Sequence, residues 1–202
     1  MELPRPTVEF ILAEGEQFDR ENDVVETSIH RLVEHFPSNT DPSHVLLKVT
    51  VINQLYRTNV LDVRKLAGHI TSLAIDPLLR VGSQDAVCQI ADIRLGRAKV
   101  LLSFATKYCN WHNFCAYPIF DSNAALCLWE YNKQEKFVKW KYNDLESGNA
   151  FYRCKKFFEI ATAFRDHYGL TSVTCKELDK FLYRKGIELA SRAVARAAGA
   201  GS

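Results

Sequence analysis

The sequence has no apolar run near the roughly 20 residues that cross a bilayer. Its opening, MELPRPTVEF, lacks a basic stretch followed by an apolar core, so it does not read as a secretory signal. It has no C-x-x-C pair, G-x-S-x-G elbow, phosphate-binding P-loop or dinucleotide glycine fingerprint. These absences exclude the common templates for serine hydrolases, nucleotide-driven motors and nicotinamide enzymes. They imply no membrane, no cofactor and no metal, and the expectation is a cytoplasmic protein. No segment alternates apolar and polar residues as a half-buried strand does, and neither an internal repeat nor a long linker is present.

What is present is enough for a core. The chain has 202 residues, of which 47% are apolar and 25% charged, a composition that folds without staples. Its six cysteines (Cys88, Cys109, Cys115, Cys127, Cys154, Cys175) are then expected as free thiols. Cys109, His112 and Cys115 are closely spaced, but three ligands without a fourth read as core thiols around a histidine. Charge is uneven: residues 1–50 hold ten acidic and four basic side chains, and the remainder fourteen and twenty-two. A basic body fits a polyanionic partner, and an ordinary solvated surface is the plainer reading.

Helical spacing recurs. Val25, Ile29, Leu32, Val33 and Phe36 share one face, and Phe36-Pro37-Ser38-Asn39 breaks it. Asp41-Pro42-Ser43 starts a helix striped by Val45, Val49, Ile52 and Tyr56. Further helices are expected over 62–70, 71–79, 84–94, 96–109 and 123–131. Residues 132–149 are irregular, and Phe151, Cys154, Phe157, Phe158, Ala161 and Phe164 mark another helix. Thr174 and Glu177 form a capping box for a last helix, with Gly186 as its stop. The expected fold class is all-α: a single compact multi-helix domain over 1–189, with 190–202 a disordered tail rich in Ala, Arg and Gly.

One segment carries chemical information: Leu95 to Leu128, LGRAKVLLSFATKYCNWHNFCAYPIFDSNAALCL. Pro118 stiffens the approach to Asp121, which stands at a helix start, where the positive end of the helix favours a carboxylate. As structure alone, Asp121 is an N-cap.

YPIFDSNAALCL resembles the segment around the catalytic aspartate of helix-hairpin-helix DNA glycosylases, and LGRAKVLL resembles the second hairpin helix of that superfamily. VINQLYRTN is similar to its early core helix. The resemblance implies a helix-hairpin-helix glycosylase-like fold and a DNA-repair hydrolase that excises a base, or a relative that has lost the chemistry. Asp121 would then stabilise positive charge on the sugar. Lys99, 22 residues upstream, would attack the sugar carbon as a Schiff-base nucleophile, with Lys107 one helix face away as the alternative. Tyr108, Trp111, Phe114 or Tyr117 would line the pocket for a flipped base. The sequence departs from the pattern in its hairpin, Ile93-Arg94-Leu95-Gly96-Arg97-Ala98, which has a single glycine, so Arg94 and Arg97 would meet phosphate as charges instead. The iron–sulfur cysteines of some members are absent.

In Lys133 to Lys141, KQEKFVKWK, cations interleave with Phe137 and Trp140. The nucleic-acid contacts expected, on DNA above all, are Arg94, Arg97, Lys107, Lys136, Lys139, Trp111 and His112. The alternative is a non-enzymatic helical domain that binds or regulates a protein partner.

Overall fold

The structure is a computed structural model that describes residues 3–93 and 100–199, with side chains through 195. Arg94, Arg97 and Lys99 lie outside the described residues. Among those described there are nine α-helices and no strand: α1 (Val8–His35), α2 (Pro42–Tyr56), α3 (Val63–Ser72), α4 (Asp76–Arg80), α5 (Gln84–Ala91), α6 (Leu102–His112), α7 (Ser122–Glu135), α8 (Ala150–Tyr168) and α9 (Cys175–Gly199).

Local chemistry sets most of the helix starts. Asp41 caps α2 by accepting from the backbone N–H groups of Ser43 and His44, with Pro42 in the first turn. Asp62 caps α3, Ser83 caps α5 and Asn149 caps α8 in the same way. Thr174 and Glu177 make the reciprocal bonds expected of a capping box: the Thr174 N–H donates to Glu177 Oε2 at 2.7 Å, and the Glu177 N–H to Thr174 Oγ1 at 3.1 Å. Where 71–79 reads as one helix, Ala74 adopts φ 48° and divides it: Thr71 and Ser72 finish α3, and Asp76–Arg80 forms α4.

The helices close around one apolar core that includes Ile11, Ile29, Val49, Ile52, Phe104, Phe157, Phe164 and Phe181. Within it α9 packs against both α1 and α7, α2 lies on α3, and α5 touches α6 and α8. The six cysteines are unpaired, five of them buried and Cys115 exposed.

The C-terminal region differs from expectation. Gly186 does not stop the last helix; α9 runs on through it to Gly199, so residues 190–199 are helical rather than a disordered tail. The Ala- and Arg-rich composition explains this, because both residues favour helix. Gly186 is there for proximity. A Cβ at that position would meet the Asn123 backbone oxygen at 2.2 Å, so glycine lets α9 press directly on the first turn of α7.

Candidate functional site

Asp121 is the N-cap of α7 and accepts from the Ala124 N–H at 2.8 Å. Its lead-in is extended and is held by one face of α6. The Asn110 amide donates to the Tyr117 carbonyl at 2.7 Å, and the Phe120 N–H donates to Thr106 Oγ1 at 3.0 Å. Four residues separate Thr106 from Asn110, so both face the same way on the helix. Tyr117 adds an anchor on the other side, its hydroxyl donating to the carbonyls of Leu78 and Ser83.

Lys107 lies between these two side chains on α6 and completes the attachment. Its Nζ donates to Ser103 Oγ at 2.9 Å and to the Phe120 carbonyl at 3.3 Å, and stands 3.9 Å from Asp121 Oδ2. The side chain is only 5% exposed. Burial holds its ammonium below the usual lysine range, opposed by the charges of Asp121 and Asp179. Lys107 was expected to meet phosphate as a cation; it is instead buried beside the carboxylate and lines a cavity.

Both groups open on a cavity of about 740 Å³, within the roughly 300–1,000 Å³ of small-molecule sites. Phe18, Tyr56, Phe120 and Tyr183 are its aromatic wall, and Arg57, Asn59, Asn123 and Asp179 add polar groups. The aromatics expected there are elsewhere. Tyr108 and Tyr117 are fully buried in the core, while Trp111 and Phe114 face two other hollows. The rim at 57–60 is stiff. Arg57 and Asn59 take the left-handed conformation, with φ 50° and 58°. The Asn53 side chain pins the turn, accepting from Thr58 Oγ1 at 2.7 Å and the Val60 N–H at 2.9 Å.

Beneath the cavity lies a second layer of polar groups. Tyr56 donates its hydroxyl proton to Glu26 Oε1 at 3.2 Å and accepts from Trp111 Nε1 at 3.1 Å and Lys176 Nζ at 3.0 Å. Lys176 pairs with Glu26 at 2.9 Å and lies 4.3 Å over the Trp111 ring. Burial, reinforced by Glu26, raises the Tyr56 phenol well above its ordinary range, so it stays a proton donor. Trp111 is therefore 5% exposed and committed to this layer, not available for base stacking. Asp179, on α9, is 7% exposed, and its Oδ1 has no hydrogen-bond partner. Burial pushes this carboxyl up to about 7, against the pull of Lys176 and Lys107.

His112, expected as a nucleic-acid contact, is the last residue of α6. Its ring packs on Tyr108, and its Nε2 is 3.5 Å from Lys48 Nζ. Burial, then the Lys48 charge, lowers it to about 3, so it is neutral and cannot grip phosphate as a cation. Lys48 is wholly buried, donates to the Ser38 carbonyl and Asn39 Oδ1, and is held down to about 8 by burial. Asn39 passes the network to Asp76 through its own amide at 2.6 Å.

Lys136 and Lys139 are exposed, while Phe137 and Trp140, interleaved with this lysine run, turn inward. Trp140 is buried, and Phe137 packs on Phe164 and Tyr168. Lys136 is the C-cap of α7, whose 14 residues put it about 20 Å from Asp121 at the other end, and Lys139 follows in the irregular chain. Among the described residues no group of three or more His, Cys, Asp or Glu side chains is placed to hold a metal ion, and no helix is long and apolar enough to cross a membrane.

Residues 7–117 match the family HI_0787_N, described as an N-terminal domain. A Haemophilus influenzae Rd protein described as uncharacterized is 35% identical over 147 residues, which cover 72% of this chain and 67% of the relative. The chain belongs to the HI_0787_N family. The HI_0787_N match takes in Glu26, Tyr56, Ser103 and Lys107, and ends four residues short of Asp121. The cavity is therefore assembled from the family's domain together with α7 and α9, which follow it. No solved structure matches the chain.

Proposed function

We propose that this HI_0787_N protein is DNA-directed and acts on a nucleotide turned out of its helix, by imine-forming base excision at Lys107. The observation that carries the reading is the pairing of a buried amine with Asp121 at 3.9 Å, both opening on a cavity of about 740 Å³. An attacking lysine must be unprotonated, and burial drives Lys107 in that direction. Asp121 can take the proton released when the amine adds, and it faces the carbon on which positive charge develops. The wall of Phe18, Tyr56, Phe120 and Tyr183 suits a planar base. Lys107 is taken as the nucleophile because its ammonium stands beside Asp121, with Lys99 kept as the alternative. Lys136, about 20 Å away at the end of α7, would meet a phosphate roughly six base pairs from the cavity, with Lys139 adding charge nearby in sequence.

The test is borohydride trapping on a duplex with one abasic site, comparing the wild type with Lys107→Gln, Lys99→Gln and Asp121→Asn. Asparagine caps a helix as well as aspartate does, so Asp121→Asn keeps α7 while removing the charge. An adduct lost in Lys107→Gln and Asp121→Asn but kept in Lys99→Gln is the expected result. Loss in Lys99→Gln alone returns the nucleophile to Lys99. No adduct and no salt-sensitive DNA binding would overturn the reading in favour of a protein-interaction domain.

A further inference from the structure

We propose that Asp179 is the general acid of this site, handing its proton to the base as that base departs from the sugar carbon taken by Lys107; the role rests on the base-excision reading above. Three features of the structure single this residue out. It is only 7% exposed, yet it lines the cavity instead of the core. Its Oδ1 has no partner within the protein, an unmet need that a ligand hydrogen bond would relieve. It also comes from α9, which Gly186 allows to press against the first turn of α7, where Asp121 sits.

The electrostatics around it favour a proton. Asp179 is faced by Lys176 and Tyr183 on its own helix, by Asp121 at the start of α7, by Lys107 on α6, by Glu26 on α1 and by Tyr56 on α2. Glu26 is already satisfied by Lys176, and Asp121 has Lys107. Asp179 has no cation of its own, so it is the carboxyl that keeps its proton near neutral pH. A neutral Asp179 also spares an incoming phosphate backbone a third carboxylate at the cavity.

The chemistry balances. The Lys107 lone pair forms the N–C1′ bond as the C1′–base bond breaks, and the departing electron pair on the base takes the Asp179 proton. Asp121 accepts the proton shed by the alkylated amine. The amine lone pair then expels O4′, which takes that proton from Asp121 and leaves the ring-opened imine. Hydrolysis releases the sugar, and Asp179 regains its proton from water.

A leaving base that needs no proton should not need Asp179. Single-turnover base release is measured on duplexes carrying hypoxanthine, uracil or 8-oxoguanine, and on one carrying N7-methylguanine, which already bears a positive charge. Asp179→Asn is expected to slow release of the neutral base best cleaved by the wild type about a hundredfold or more. Release of N7-methylguanine, and trapping on an abasic duplex with no base to protonate, should fall by less than tenfold. Wild-type release of the neutral base should also decline above pH 7. Equal losses on neutral and cationic bases would overturn the general-acid role, and so would unchanged release of the neutral base. A wild type that neither traps nor releases fails at Lys107 instead, and removes the base-excision reading itself.

Discussion

Asp179→Asn is expected to stabilise the protein above pH 7 and to lose that advantage toward pH 4. The carboxyl titrates near 7 in the folded protein and near 3.8 when free, because burial disfavours its charge. Between those values the folded chain holds a proton that the unfolded chain has released, so stability falls as pH rises through the window and the full cost is present above pH 7. At 1.36 kcal/mol per pKa unit the interval corresponds to about 4 kcal/mol, and water reaching the cavity brings the expectation to about 2–4 kcal/mol. Asparagine cannot ionise and so does not incur that cost, at the constant expense of seating an amide. Urea unfolding at half-unit steps from pH 4.5 to 8.5, on wild type and variant together, measures the difference. The wild-type curve should sink relative to the variant by that amount between pH 4.5 and 7.5 and run parallel above. A difference flat across the range would refute a buried, proton-holding Asp179, and with it the basis for its acid role.

Three further outcomes follow from the packing and charges. Gly186→Ala would gain about 1 kcal/mol of helix propensity in isolation, yet its Cβ would stand 2.2 Å from the Asn123 oxygen. The variant should instead lose about 1–3 kcal/mol in thermal unfolding, and trapping should weaken as the α7 start is pushed away. His112, held near 3 against 6.5 when free, leaves the unfolded chain taking up a proton as pH falls from 6.5 toward 3. His112→Asn should therefore flatten the acid side of the stability profile, by up to about 1.4 kcal/mol per pH unit, read by denaturation at pH 4 to 7. Lys136→Glu with Lys139→Glu should leave melting unchanged and cut the slope of log affinity for DNA against log salt by about two, measured by fluorescence anisotropy.

The parts of the fold that were legible are those written in neighbouring residues. Asp41-Pro42, Asp62 and Thr174 with Glu177 announce their helix starts because a cap bonds within three residues of itself. Asp121 was legible for the same reason. Gly186 was misread because its cause is a distant backbone, Asn123, that no local pattern contains. The helix through 190–199 rests on the helix propensity of Ala and Arg, which a low-complexity composition resembling a tail conceals.

The site itself left a signal of another kind. On α2 the buried stripe Val45, Val49, Ile52 includes Lys48; on α6 the stripe Phe104, Tyr108, Trp111 includes Lys107; on α9 the stripe Cys175, Leu178, Leu182 includes Asp179. Each ionisable residue stands three and four positions from two of its apolar neighbours and next to the third, on the face that turns inward. Burying an isolated charge costs several kcal/mol, so such a residue must find a partner, give up its charge or serve a ligand. The three divide along those lines. Lys48 finds Ser38 and Asn39 and closes a network inside the protein. Lys107 finds Asp121 but keeps a cavity beside it. Asp179 finds no hydrogen-bond partner for Oδ1 and lines the same cavity. Periodicity therefore marks all three as candidates, while only the three-dimensional arrangement separates the one whose needs the fold satisfies from the two that face a place for something else.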